Sequence, residues 1–271
     1  MKTTRVILVL VAVGLIAILY FLPKAVVENE SQLQTAAPSA DSVTGQANPH
    51  RPTSRMVRSG INRLRARYLS SSSEQKNAIF ADSLVGFYLQ AGLYDSAAWF
   101  AERAATFFNT EENWLKAANA TYEAYTFAVE PAKQRNLAEK TRELFARILQ
   151  DHPDHAEAKT KTAMTYVSSE APMTGIRMLR EVVEKDPRNE LALFNLGMLS
   201  VQSGQYERAT EWFEKLLAVN PNHLQGNLLL GVAYLNKGDK VKARQQFEKV
   251  KKLDTDPSVQ ATVDSYLQEL K

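Results

Sequence analysis

The stretch Glu190–His223, ELALFNLGMLSVQSGQYERATEWFEKLLAVNPNH, decides the fold. Leu193, Leu196 and Gly197 fall on the inner face of a first helical pattern. Tyr206, Ala209, Phe213 and Leu216 follow at spacings of three and four, which lines one face of a second helix. Between them, Ser203-Gly204-Gln205 predicts a tight turn in which Gly204 takes a positive φ without steric cost. Asn220-Pro221 closes the second pattern, because proline lacks an N–H and biases its predecessor out of the α region. Gly197 and Ala209 stand where two antiparallel helices would cross, and larger side chains would push the axes apart.

The same arrangement returns 34 residues later, from Leu224 to Thr255. Leu230, Gly231, Gly238, Ala243 and Phe247 fall in step with Leu196, Gly197, Gly204, Ala209 and Phe213, and Pro153, Pro187 and Pro221 keep the same interval. A period of this length, with Leu-Gly, Gly-x-aromatic, Ala, aromatic and Pro in order, resembles the tetratricopeptide repeat family. The resemblance implies an all-α helix–turn–helix solenoid in which neighbouring pairs share their apolar surface. It implies no particular partner.

Working outward, repeats are expected near 78–110, 111–155, 156–189, 190–223 and 224–257, a repeat region of 70–257. Ser70–Ser73 offer capping hydroxyls ahead of Glu74 and Gln75. The first repeat is laid from about Ala78, with Leu84, Tyr88, Gly92, Tyr94 and Ala97 on the repeat positions. The second carries about ten extra residues by comparison with the repeat period, so both its helices should be long, with Pro131 starting the second. In the third, Gly175 replaces the usual alanine and the turn before it lacks a glycine. Residues 258–271 predict a terminal helix with Val259, Val263, Tyr266 and Leu270 as its apolar face, a lid for the open end of the stack.

The amino-terminal side reads differently. Residues 1–5 carry Lys2 and Arg5, and residues 6–22 form a 17-residue run without a charge. An uncleaved membrane anchor and a secretory signal peptide compete for this run. Pro23-Lys24-Ala25 puts proline where a cleavage site needs a small residue, which favours the anchor. The positive charge before the span predicts residues 1–5 in the cytoplasm and the remainder outside it, periplasmic in a bacterium with two membranes. Residues 23–53 then read as a flexible linker with a reach of about 25–30 Å. Residues 54–69 predict a lead-in helix whose stripe is Val57, Ile61, Leu64 and Tyr68. Its flank carries Arg55, Arg58, Arg63, Arg65 and Arg67, suited to solvent, to anionic lipid or to an acidic partner.

Net charge is only +3, and no nucleic-acid partner is expected. The absence of cysteine excludes disulfides, thiolate zinc sites and a cysteine nucleophile. The run Asp151-His152-Pro153-Asp154-His155 is the one cluster suggestive of a metal, and its place in an inter-repeat turn favours ordinary solvated residues. No phosphate loop, dinucleotide glycine pattern or nucleophile elbow occurs. No enzyme activity, cofactor or small-molecule substrate is expected.

The family resemblance implies a concave groove lined at the second, fifth, ninth and twelfth positions of each first helix. These are Glu157, Thr160, Met164 and Val167, then Leu191, Phe194, Met198 and Val201, then Gln225, Leu228, Val232 and Leu235. Some relatives grip chaperone tails with Lys and Asn at the fifth and ninth positions. Phe194, Met198, Leu228 and Val232 stand there instead, so that activity is not implied. An apolar strip with adaptable methionines suits a helix or extended apolar segment of another protein; packing against neighbouring repeats is the plainer alternative. The expected role is a membrane-anchored scaffold, resembling in layout the repeat proteins of secretion, cytochrome maturation and envelope assembly. An organelle-surface receptor with cytosolic repeats and a permanent subunit of a larger membrane complex remain open.

Overall fold

Twelve helices, and no strand among the described residues, follow one another in a computed structural model that describes residues 54–270. They are α1 (Arg55–Ser70), α2 (Glu74–Gln90), α3 (Tyr94–Phe108), α4 (Glu111–Thr126), α5 (Pro131–Asp151) and α6 (Ala156–Val167). Then come α7 (Pro172–Lys185), α8 (Glu190–Gln202), α9 (Tyr206–Val219), α10 (Leu224–Asn236), α11 (Lys240–Leu253) and α12 (Pro257–Glu269). The apolar run 6–22 and the linker 23–53 lie outside the described residues, and no described helix is long and apolar enough to cross a membrane.

Each helix packs on its neighbour in the chain, and α6 with α8 and α8 with α10 also touch directly. The first helix of each later pair therefore belongs to an inner layer. The cores follow from this. One apolar cluster runs from Ile61 to Ala158, a second joins Ala163, Leu179, Val182, Ala192 and Leu196, and a third runs from Leu193 to Leu270. Helix α6 contributes Ala158 to the first and Ala163 to the second, while α8 contributes to the second and third. No pair buries its apolar face alone, which is how a solenoid is stabilised.

The glycine turns form as the sequence predicts. Gly92, Gly204 and Gly238 have φ of 69°, 69° and 83°. Residues Gln205 and Asp239 donate back to the Ser200 and Tyr234 carbonyls at 2.8 and 2.9 Å, closing each helix end in a Schellman-like turn. The third repeat closes without glycine. There Ser169 Oγ donates to the Tyr166 carbonyl at 2.7 Å and accepts from the Ala171 N–H at 3.1 Å. Helix α2 begins at Glu74, where Ser73 Oγ accepts from the Lys76 N–H and caps it.

The inter-repeat turns are copies of one another. His152, Asp186 and Asn220 donate N–H bonds of 2.8 Å to the carbonyls of Ile148, Val182 and Leu216. Three residues later, a side chain caps the next helix. His155 Nδ1 accepts from the Ala158 N–H at 3.2 Å, Asn189 Oδ1 from Ala192 at 3.0 Å, and His223 Nδ1 from Gly226 at 3.0 Å. Histidine and asparagine thus perform one task at equivalent positions. His223→Ala should cost about 1 kcal/mol of stability or more, the usual loss of a capping acceptor, whereas His223→Asn, which keeps an acceptor, should recover most of it in the urea midpoint. An equal loss in both variants would assign His223 a packing role instead.

Helix α12 closes the last repeat. Val263 and Leu270 are buried, and the Tyr266 ring stacks on Phe247 at 5.0 Å. Gln260 Nε2 donates to the Lys251 carbonyl at 2.9 Å, tying α12 to α11.

Candidate functional site

The inner layer carries two chemically distinct halves. In the carboxy-terminal half the surface is apolar. Met164 and Val167 on α6, Phe194, Met198 and Val201 on α8, and Leu228, Val232 and Leu235 on α10 are all half-buried. Leu191, at the open edge of the strip, is 40% exposed. Phe194, Val201, Leu228, Val232 and Leu235 pack on the third core, and Met164 on the second. The Phe194 ring lies 5.3 Å from the His223 imidazole in a stacked arrangement, so the capping histidine of α10 also supports the strip.

These eight side chains share the inner helices, yet none lines the clefts of about 370–570 Å³ found elsewhere on the described surface. An apolar surface carried on successive helices suits an extended or helical segment of another protein. Of the remaining positions, Glu157 and Gln225 keep partial or full exposure. Thr160 does not line the groove. It is buried, with its hydroxyl enclosed and unpartnered, so the fifth position of α6 faces the protein interior.

In the amino-terminal half, polar side chains bridge successive first helices. Lys116 of α4 pairs with Asp82 of α2. Lys161 of α6 donates to Asn119 Oδ1 of α4 and to Glu157 Oε1, both at 2.8 Å, and its ammonium sits 5.5 Å over the Tyr122 ring. Burial opposes the charge on Glu157, but Lys161 and Asn119 outweigh it and hold the carboxyl below its usual range. Burial, with help from Tyr125 and Glu123, pushes the Tyr122 hydroxyl up to about 12, so it is a neutral phenol near pH 7. Sequence reasoning missed this ladder, although the Glu157–Lys161 spacing of four was a visible signal.

The Asp-His-Pro-Asp-His turn is held by protein partners at three of its four candidate ligands. His152 Nε2 lies 3.0 Å from Glu111 Oε2, Asp154 pairs with Lys185, and His155 caps α6. The Lys185 hydrogen bond leads in holding the Asp154 carboxyl below its ordinary range.

Helix α1 packs as a lead-in helix. Ile61 is buried against the first core, with Val57, Leu64 and Tyr68 beside it, and a Cβ on Gly60 would meet the Phe87 ring at 2.5 Å. Arg55, Arg58, Arg63, Arg65 and Arg67 are exposed, and none enters an ion pair among the described residues. Beside α1, Trp99 stands edge-on to Tyr68 at 6.3 Å, with the Arg103 guanidinium 4.6 Å over it. These residues line a cleft of about 570 Å³ that sequence reasoning did not find. Its one signal was a tryptophan outside the aromatic positions of the repeat.

Residues 160–218 and 200–264 match two family models, each described as tetratricopeptide repeat. A "TPR repeat-containing protein" of Borreliella burgdorferi is 29% identical over 85 residues, 27% of this chain and 37% of that protein. The chain thus spans well under half the length of this curated relative. Among solved structures, a MamA protein aligns at 16% identity and TM-score 0.48 over 68% of this chain and 95% of its own. MamA from Desulfovibrio magneticus RS-1 aligns at 19% identity and TM-score 0.49 over 66% and 96%. YrrB, described as a TPR protein with an unusual peptide-binding site, aligns at 17% identity and TM-score 0.44 over 69% and 92%.

Proposed function

Because this chain belongs to the tetratricopeptide repeat family, we propose that it is a membrane-anchored scaffold whose α8–α10 strip holds an apolar segment of a partner protein. The observation that carries this reading is the apolar surface that α8 and α10 share. Phe194 on α8 and Leu228 and Val232 on α10, the helix it touches, border the same core, with Leu191 left open on α8. A surface of this kind gains free energy when an amphipathic helix or extended chain removes it from water. The polar ladder at Asn119, Lys161 and Glu157 sets the limit of the apolar site and favours a partner segment that turns polar beyond its apolar stretch. The role proposed is non-enzymatic.

The apolar run at residues 6–22 supports anchoring in a plasma or inner membrane, and its flanking charges support repeats on the extracytoplasmic side. Protease added to spheroplasts should then digest the repeats. Protection from protease would place them in the cytosol and overturn this part of the reading.

The groove is tested by partner capture from solubilised membranes with Phe194→Glu and Leu228→Glu. A carboxylate forced into an apolar contact should weaken capture at least tenfold, by roughly 1.4 kcal/mol or more. Unchanged recovery, with helicity intact, would reject the strip as the binding surface.

A further inference from the structure

We propose that the outward face of α1 docks on an anionic lipid surface. The inference rests on the membrane attachment proposed above. Residues 54–73 contain five arginines and no acidic residue. Elsewhere, lysines reach acids on neighbouring helices, as Lys116 reaches Asp82, Lys133 reaches Asp95 and Lys140 reaches Glu102. The α1 arginines make no such contact among the described residues, and all five are exposed.

The apolar stripe of α1 is already used. Ile61, Val57, Leu64 and Tyr68 pack on the first core, and the close approach of Gly60 to Phe87 fixes the roll of the helix. The half turned away from α2 is therefore held outward as a basic surface, without further ordering. At 100° per residue, the five arginines fan over about half the circumference. A groove-bound acidic peptide would be met along one edge, whereas this fan suits a plane of diffuse negative charge. Met56 and Leu69, 81% and 71% exposed, stand on the same outward half near opposite ends of α1. Apolar side chains among guanidinium groups are what an interfacial helix presents to headgroups and the acyl boundary, and guanidinium groups bind phosphate bidentately. Helix α1 is also the first described element after the apolar run, separated from it by residues 23–54.

All three cores lie within residues 54–270, so these residues can be tested apart from the apolar run, with helicity as the check that they fold. The measurement is cosedimentation with vesicles of phosphatidylcholine, with and without phosphatidylserine, at low and high salt. Binding is expected only to the phosphatidylserine vesicles, and it should fall as salt rises. Arg63→Gln should weaken it about fivefold. Replacing Arg55, Arg58, Arg63, Arg65 and Arg67 together by glutamine should abolish it with helicity unchanged. Phe194→Glu should leave it intact, which separates a failure here from a failure of the groove. No binding at low salt, equal binding to neutral vesicles, or full binding by the five-glutamine variant would overturn the proposal. So would loss of partner capture in that variant with vesicle binding retained, which would hand the face to an acidic protein.

Discussion

Phe213→Ala is expected to destabilise the protein by about 4 kcal/mol, within the range for deleting a fully buried phenylalanine. Phe213 is wholly enclosed, and its ring lies directly under Gly197, where a Cβ would come within 2.6 Å of Cε1. Phe247 under Gly231 repeats the arrangement at the same 2.6 Å. Each phenylalanine fills the space its glycine leaves, so the loss of either ring opens a void that the helices cannot easily close. The residue also belongs to the third core, with Leu193, Leu230, Val250 and Val263. In a stack stabilised by nearest neighbours, weakening that core should loosen α9–α12 ahead of the rest. Urea unfolding followed by circular dichroism should show a lower midpoint and a broadened transition. A loss below about 1 kcal/mol would mean that the site collapses freely and is not close-packed.

Gly175→Ala is expected to cost about 2 kcal/mol, although alanine is the better helix former. A Cβ at Gly175 would land on the Ala163 carbonyl oxygen and 2.8 Å from Val167 Cγ2. The obstacle is helix backbone, so α7 has to move away from α6, and overpacking of this kind typically costs 1–3 kcal/mol. The gain of up to about 1 kcal/mol from removing a helical glycine offsets only part of it. Gly86 provides the opposite sign. A Cβ there would meet nothing within 4 Å, so Gly86→Ala should stabilise by about 0.5–1 kcal/mol. If the two substitutions moved the urea midpoint in the same direction, helix propensity rather than helix contact would govern both sites.

The pairing of small and large residues was legible because it is written into the repeat. Gly197 with Phe213 and Gly231 with Phe247 recur at one interval, and the prolines at 153, 187 and 221 punctuate it. Pro131 marked the start of the 21-residue α5, since a proline fits the first turn of a helix and not its interior. Other features carried no local signal. Histidine is not a usual capping residue, so the caps at His155 and His223 became visible only when their turns overlaid that of Asn189. The closure by Ser169 depends on a hydroxyl reaching two backbone groups at once. Register assigned Thr160 to the groove, but register cannot say how deeply a neighbouring helix covers a position. The Tyr68–Trp99 contact and the Asn119–Lys161 bridge join residues 31 and 42 apart, distances over which sequence periodicity is silent.

The most direct test of the central claim is site-specific photocrosslinking of the full chain in its native membrane. Probes belong at Leu191 and Met198 on the inner strip, and at Glu211 and Val241 on the exposed surfaces of the second helices α9 and α11. A common protein adduct from the inner positions, absent from the outer ones, is the predicted result. Adducts from Glu211 and Val241 with none from Leu191 and Met198 would contradict it.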